Sequence, residues 1–117
     1  ARSENGLCLV AEANGMIVGQ LTLQGPARRK VRHNTVLGIT VAKEWRGQGI
    51  GRRLIERAIT WSRETGVISR IELHVFAGNE GAIRLYKSLG FELEGRRRKA
   101  LRKDGQYMDD LIMALLL

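Results

Sequence analysis

Residues 35–53 read T-V-L-G-I-T-V-A-K-E-W-R-G-Q-G-I-G-R-R, and within them one kind of structure gives way to another. Thr35 to Val41 is β-branched and almost wholly apolar, the pattern of a strand buried on both faces. From Ile50 the period changes. Ile50, Leu54, Ala58 and Trp61 recur at helical spacing, Ile55 and Ile59 join them, and Gly66 ends the run. Between strand and helix lies a basic, glycine-rich loop, Lys43 to Gly51. A helix start exposes unpaired backbone N–H groups and a partial positive charge, so it readily accepts a phosphate. Glycines let an anion approach the backbone without meeting a Cβ. Two familiar phosphate motifs fail on spacing: a dinucleotide fingerprint needs glycine where Arg52 stands, and the Gly-Lys-Ser/Thr ending of a P-loop is absent.

On either side of this stretch the chain alternates in the same legible way. Leu7 to Ala13 and Met16 to Gln24 are β-type runs separated by Asn14-Gly15, a strong hairpin signal. Gly25 to Arg32 is a basic turn region with the one proline, Pro26. Ile71 to Phe76 alternates as a strand. Asn79 is placed to cap a second helix, with Ala82, Ile83, Leu85, Tyr86 and Leu89 apolar and Gly90 closing it. Phe91 to Arg98 and Gln106 to Leu116, joined through Asp104-Gly105, form a final antiparallel pair. The order hairpin, strand, helix, strand, helix, strand, strand implies an α+β fold: a mixed, mostly antiparallel sheet with helices packed on it.

The 117 residues are one domain's worth of chain, and a single domain over 1–117 is expected. The apolar and charged fractions, 44% and 27%, are those of a folded globular protein and exclude a disordered tail. No apolar run approaches the ~18 residues of a membrane helix. One cysteine, Cys8, excludes an internal disulfide, so a reducing cytoplasm is the expected location. Two histidines and that cysteine lie scattered without ligand spacing, and no metal is expected. Lys and Arg total 20 against 12 Asp and Glu, for a net charge of +8, which calls for an anionic partner. Aromatic content of 5% is too low for a single-strand stacking platform, so nucleic acid is not the expected partner. The apolar end, Leu111 to Leu117, reads as exposed and points to strand pairing or a homodimer.

Arg46-x-x-Gly49-x-Gly51 resembles the R-x-x-G-x-G signature of the GNAT superfamily of acyl-CoA-dependent N-acetyltransferases. A second block, Asn79-Glu80-Gly81-Ala82-Ile83-Arg84-Leu85-Tyr86-Lys87-Ser88-Leu89-Gly90-Phe91, is similar to that family's N-x-x-A-I-x-L-Y-x-x-x-G-F stretch and begins 28 residues after Gly51. Two motifs at the family's separation are far more specific than either alone. The nearest likeness is to bacterial members that acetylate free L-amino acids, followed by those that acetylate ribosomal-protein N-termini. The resemblance implies acetyl-CoA as co-substrate and a primary amine of a small molecule as acceptor; the alternatives are a protein N-terminus as acceptor, or a non-catalytic module that binds acetyl-CoA or nucleic acid. It implies that Arg46, Gly47, Gln48, Gly49, Ile50, Gly51 and Arg52 hold the diphosphate. Ile39, Thr40 and Val41 would offer backbone groups to the pantetheine and a donor to the thioester carbonyl. Asn79, with Ala82 on the same helical face, would lie along the pantetheine arm, and Tyr86 would protonate the departing thiolate.

The spacing agrees, since Asn79 and Tyr86 are seven apart, two helical turns. Chemically, a phenol near pKa 10 donates to a thiolate whose acid lies near 8.5 only when positioned and helped by the local field. Two departures from the family pattern stand out. Asn34 to Ala42 holds no carboxylate where many relatives carry a general base; Glu72 is the candidate replacement, with His74 and a water chain as alternatives and His33 behind them. The family's opening strand and two helices, which wall part of the acceptor pocket, have no counterpart in this sequence, and a longer chain is expected. Amine chemistry favours an α-amine: with pKa ~7.7–8.0 it is roughly a tenth neutral at pH 7, against about one in 2,500 for a lysine amine. For each candidate a plainer role exists: Asn79 as a helix cap, Tyr86 as a core aromatic, Glu72 as a solvated strand carboxylate. The basic runs Arg28-Arg29-Lys30 and Arg96-Arg97-Arg98-Lys99 read as solvated faces.

Overall fold

The computed structural model describes residues 2–3 and 5–117, with side chains from Asn5 onward. The fold is mixed α+β with mostly antiparallel strands. Its backbone divides into two compact units, one ending at Ile71 and taking in Leu117, the other running Glu72–Leu116.

In the first unit β1 (Arg2–Ser3), β2 (Gly6–Ala13), β3 (Met16–Gln24) and β4 (Asn34–Val41) pair antiparallel in that order. The β2–β3 turn is built as its residues demand: Asn14 and Gly15 both take positive φ, 53° and 78°, the geometry that matches strand twist in a two-residue hairpin. Asn5 closes the basic β3–β4 connection, its Nδ2 donating to the carbonyls of Pro26 at 2.8 Å and Arg32 at 3.1 Å. Helix α1 (Ile50–Thr65) lies on β2, β3 and β4. It buries Leu54, Ile55, Ala58 and Ile59, the stripe read from sequence, in a core shared with Leu21, Leu23 and Leu37. Each leucine and isoleucine among them contributes about 1.5–3 kcal/mol on leaving water. The buried hydroxyls are bonded: Ser62 Oγ donates to the Ala58 carbonyl and Thr35 Oγ1 to the Arg70 carbonyl.

One expectation needs correction here. β4 is not buried on both faces. Thr35 and Leu37 are buried, but Val36 is 46% exposed, and Gly38 and Thr40 face solvent with it. The helix covers one side, so the strand shows the period-two burial of a half-covered sheet although apolar residues occur on both of its faces.

Strand β5 runs Arg70–Phe76, and from its Glu72 onward it belongs to the second unit, with α2 (Glu80–Ser88), β6 (Glu92–Lys103) and β7 (Gln106–Leu116), β7 lying between β5 and β6. Leu73, Val75, Phe91, Met113 and Ala114 are all buried. Asp104 and Gly105, at φ 53° and 78°, turn the β6–β7 hairpin. β6 runs on to Lys103 where the sequence suggested a stop at Arg98. Its register against β7 shifts between Arg97 and Leu101, and Lys99 there takes φ 54° while its N–H donates to Asp109 Oδ1 at 2.8 Å. The apolar end is likewise not an exposed strip. Leu111, Met113, Ala114 and Leu115 are buried because β7 has a neighbouring strand on each side, and Leu116 alone among them stands out to solvent. That removes the reason for reading strand pairing or a homodimer from this segment.

The basic run Arg96 to Lys99 is exposed, as its sequence suggests, and two of its arginines are also ion-paired. Arg96 Nε donates to Asp109 and Arg97 Nε to Asp110, each at 2.7 Å, and Asp110 is buried. The Arg97 hydrogen bond holds the Asp110 carboxyl below its ordinary range, and the Lys99 N–H followed by Arg96 does the same for Asp109. A depressed folded-state pKa stabilises the fold above the unfolded value near 3.9 and ceases to do so as pH falls through the folded value. Thermal melts from pH 7 to 2 are therefore expected to lose stability most steeply below about pH 4. Asp110→Asn is expected to cost about 1–2 kcal/mol at pH 7 and to flatten that acid limb; an unchanged limb would contradict the assignment.

Candidate active site

The first unit supplies a loop shaped to present bare backbone. β4 ends at Val41, and the Ala42 N–H donates to the Val18 carbonyl at 2.8 Å. A single 3₁₀ turn, Lys43–Trp45, follows. Arg46 Nε then reaches back to the Val41 carbonyl at 3.1 Å, closing the loop on its own start. Gly47 and Gly49 sit at φ 77° and 83°, the left-handed region that a side chain disfavours, and a Cβ on either would meet nothing within 4 Å. The loop thus has glycine for its dihedrals and open space on the side where those side chains would stand.

Helix α1 opens out of this loop without the usual compensation. Its cap, Gly49, has no side-chain cap hydrogen bond, its first turn holds no acid, and Arg52 and Arg53 stand there instead. The first backbone bond across the cap runs from Arg53 N–H to the Gly49 carbonyl, 3.0 Å. The amides ahead of Arg53 have no helical carbonyl one turn back. A positive helix end ordinarily takes a carboxylate, worth about 0.3–1 kcal/mol, and cations there are unfavourable. Such an end can accept an anion. All of Arg46 to Arg52 named from sequence belong to that one segment, and Ile39, Thr40 and Val41 form the strand end leading into it.

The second unit holds the other named residues. Asn79 caps α2, its Oδ1 accepting from the Ala82 N–H at 3.1 Å, which is the plainer of its two sequence readings. Tyr86 is buried, 8% exposed, with its ring centroid 6.0 Å from that of Phe91. Burial raises its phenol pKa, so the hydroxyl keeps its proton throughout the neutral range. On β5, Ile71, Leu73 and Val75 point into the core, leaving Glu72 and His74 on the opposite face. Sequence reading set these two against each other as candidate bases. In the structure they are one group, with His74 Nε2 2.8 Å from Glu72 Oε2. The Arg97–Asp110 pair stands close enough to feel both charges. That pairing was foreseeable from i,i+2 spacing on a strand, which puts both side chains on one face. His33 stands just before β4, its carbonyl accepting from the Ser69 and Arg70 N–H groups. Among the described residues no group of three His, Cys, Asp or Glu is placed to hold a metal ion, and no helix is long and apolar enough to cross a membrane.

Comparison with known proteins identifies the family. The model of the acetyltransferase (GNAT) family matches residues 1–91. The L-amino acid N-acetyltransferase AaaT of Escherichia coli K12 is 38% identical over 110 residues, covering 91% of this chain and 65% of that protein. The chain thus spans just under two thirds of the length of that relative. A GNAT-family acetyltransferase from Streptococcus pneumoniae superposes with a TM-score of 0.95 at 33% identity, over 98% of this chain and 69% of that one. The yncA protein of Salmonella typhimurium, whose structure holds acetyl-CoA, does so at 0.85 and 28% identity, over 94% and 68%. With the family model covering most of the sequence, the R-x-x-G-x-G loop opening α1 and the Asn79–Phe91 block carrying Tyr86, this chain belongs to the GNAT acetyltransferase family.

Proposed function

We propose that this protein moves an acetyl group from acetyl-CoA to a primary α-amine of an amino acid or similar small molecule, by direct attack in a ternary complex. The observation that carries the cofactor half is the uncapped, acid-free start of α1 behind two left-handed glycines. An anion with several acceptor oxygens fits there, and a diphosphate has the length to span consecutive amides. The residues offered to it are Gly47 to Arg52, with Arg46 setting the loop's shape through Val41. Support from relatives comes from the acetyl-CoA in the Salmonella structure and the amino acid acceptor in the name of the Escherichia coli protein.

The reaction itself needs a proton removed and a proton supplied. The acceptor nitrogen attacks the thioester carbon, an N–C bond forms and the C–S bond breaks. The backbone of Thr40–Val41 donates to the carbonyl oxygen as charge gathers on it. Tyr86 gives its hydroxyl proton to the departing thiolate and regains one from water. The amine proton passes to the Glu72–His74 pair, in which the carboxylate fixes the orientation of the imidazole. Holding both partners together makes up much of the barrier reduction, and no covalent enzyme intermediate is involved. The setting is a reducing cytoplasm, and the partner is the small amine.

A thiol-release assay with acetyl-CoA and a panel of amines tests this. Release with free amino acids, and little with a lysine side-chain amine blocked at its α-position, is the expected outcome. Acetylation confined to lysine ε-amines would overturn the acceptor assignment. His74→Ala and Glu72→Gln are each expected to lower kcat/KM about 10- to 100-fold. The double variant should be little worse than either, since two groups acting as one unit are not additive. Multiplying losses would show that the pair does not act together.

A further inference from the structure

We infer that Gly19, in the middle of β3, is a positioning residue for the cofactor loop: it is the bare spot on which both ends of the loop rest. The inference presumes the cofactor reading above. At the loop's start, Gly19 lies directly across the β3–β4 ladder from Val41, whose carbonyl holds Arg46, and the preceding residue, Val18, accepts the Ala42 N–H. At the loop's far end, Ile50 is the first residue of α1 and immediately follows the left-handed Gly49. A Cβ placed on Gly19 would stand 3.1 Å from Ile50 Cγ2 and 3.3 Å from Leu54 Cδ1, with Ala11 Cβ at 3.5 Å. So the strand that pins the loop's first residues is also the floor beneath its last.

The two close contacts differ in how they yield. Leu54 Cδ1 is the far tip of a side chain and can swing aside. Ile50 Cγ2 is fixed on a β-branched carbon next to the backbone, so crowding it displaces the helix start itself. Displacing that start by a few tenths of an ångström moves the amides of Ile50, Gly51 and Arg52 together relative to Val41 and Arg46. Charge-assisted hydrogen bonds to a diphosphate are sensitive to such shifts, whereas helix–strand packing around Leu54 and Ile55 absorbs them. Gly19 therefore governs cofactor affinity more than stability, although it touches no cofactor.

The test is a double-mutant cycle read by calorimetry with CoA. Gly19→Ala is expected to raise the CoA Kd about tenfold and the KM for acetyl-CoA in step, with kcat at saturating acetyl-CoA within about twofold. Ile50→Ala deletes the crowding atom, so on that background Gly19→Ala should change the Kd less than about twofold. A tenfold loss that persists on the Ile50→Ala background, or a folded Gly19→Ala protein that binds CoA as well as wild type, overturns the inference and leaves the cofactor reading intact. If Gly19→Ala alone does not fold, the comparison of Ile50→Ala with the double variant decides between the same outcomes. Wild-type protein that takes up no CoA would instead overturn the cofactor reading, and the role of Gly19 with it.

Discussion

Gly49→Val is expected to raise the dissociation constant for CoA about a hundredfold. Gly49 sits at φ 83° as the residue before α1, where a side chain is strained whatever room it has. Holding a non-glycine residue in the left-handed region costs roughly 1–2 kcal/mol, and a β-branched one more. The protein has two ways to respond. If it keeps the dihedral, the cost appears as lost stability and the isopropyl group occupies the open side of the loop. If it relaxes, the amides of Ile50 and Gly51 turn away from their common target. A hydrogen bond to a charged group contributes about 1.5–3 kcal/mol, so losing one or two amounts to about two powers of ten. Calorimetry with CoA reads the loss, and circular dichroism reports whether the fold survives. A folded Gly49→Val protein with unchanged affinity would show that no anion is held at this helix start.

Tyr86→Phe is expected to lower kcat by about a hundred- to a thousandfold while changing the CoA Kd by less than about twofold. A positioned general acid contributes about 10²–10⁴. Phenylalanine keeps the ring that packs against Phe91 and removes only the hydroxyl, so the site's shape is preserved. The pH profile separates this role from a packing role. Burial raises the Tyr86 pKa, which keeps the proton available well above neutrality. Activity should therefore climb as the acceptor amine deprotonates through its pKa near 7.7–8.0, then fall only at strongly alkaline pH as Tyr86 ionises. In Tyr86→Phe that alkaline fall should vanish along with most of the rate. A Tyr86→Phe enzyme with wild-type kcat would leave the thiolate to be protonated by water.

How much of this was legible in the sequence differs by element, for physical reasons. The hairpin turns at Asn14-Gly15 and Asp104-Gly105 were readable because two positive φ values in succession leave few choices of residue. Helix α1 was readable end to end, since Gly49 and Gly66 both adopt the left-handed geometry that brackets it. The two-residue β1 carried no signal, being too short for any period. β4 misled by composition. Val36 has the same chemistry as Leu37, and only knowing that one helix covers one face tells them apart. The ends of β6 and the fate of Leu111–Leu115 depended on pairing. A bulge held by Asp109 and a strand flanked on both sides are non-local facts that no window of residues contains.

The site divides in the same way. Arg46 to Arg52 and Asn79 to Phe91 stand out as candidates by motif, because dihedral demands and helical spacing are local. Glu72 and His74 were found as separate candidates, and their pairing followed from strand alternation. Gly19 carried no signal. An isolated glycine in a strand announces a close approach but not what approaches. Asp110 could be placed on β7 but not matched to Arg97, which lies across a hairpin with an irregular register.

Direct titration of the intact protein with CoA asks whether the amides opening α1 hold its diphosphate. Saturable binding at one site per chain, weakened by at least tenfold when pantetheine without the diphosphate is used in its place, is the result expected. No heat with CoA from a sample shown to be folded, or equal affinity for pantetheine, would contradict it.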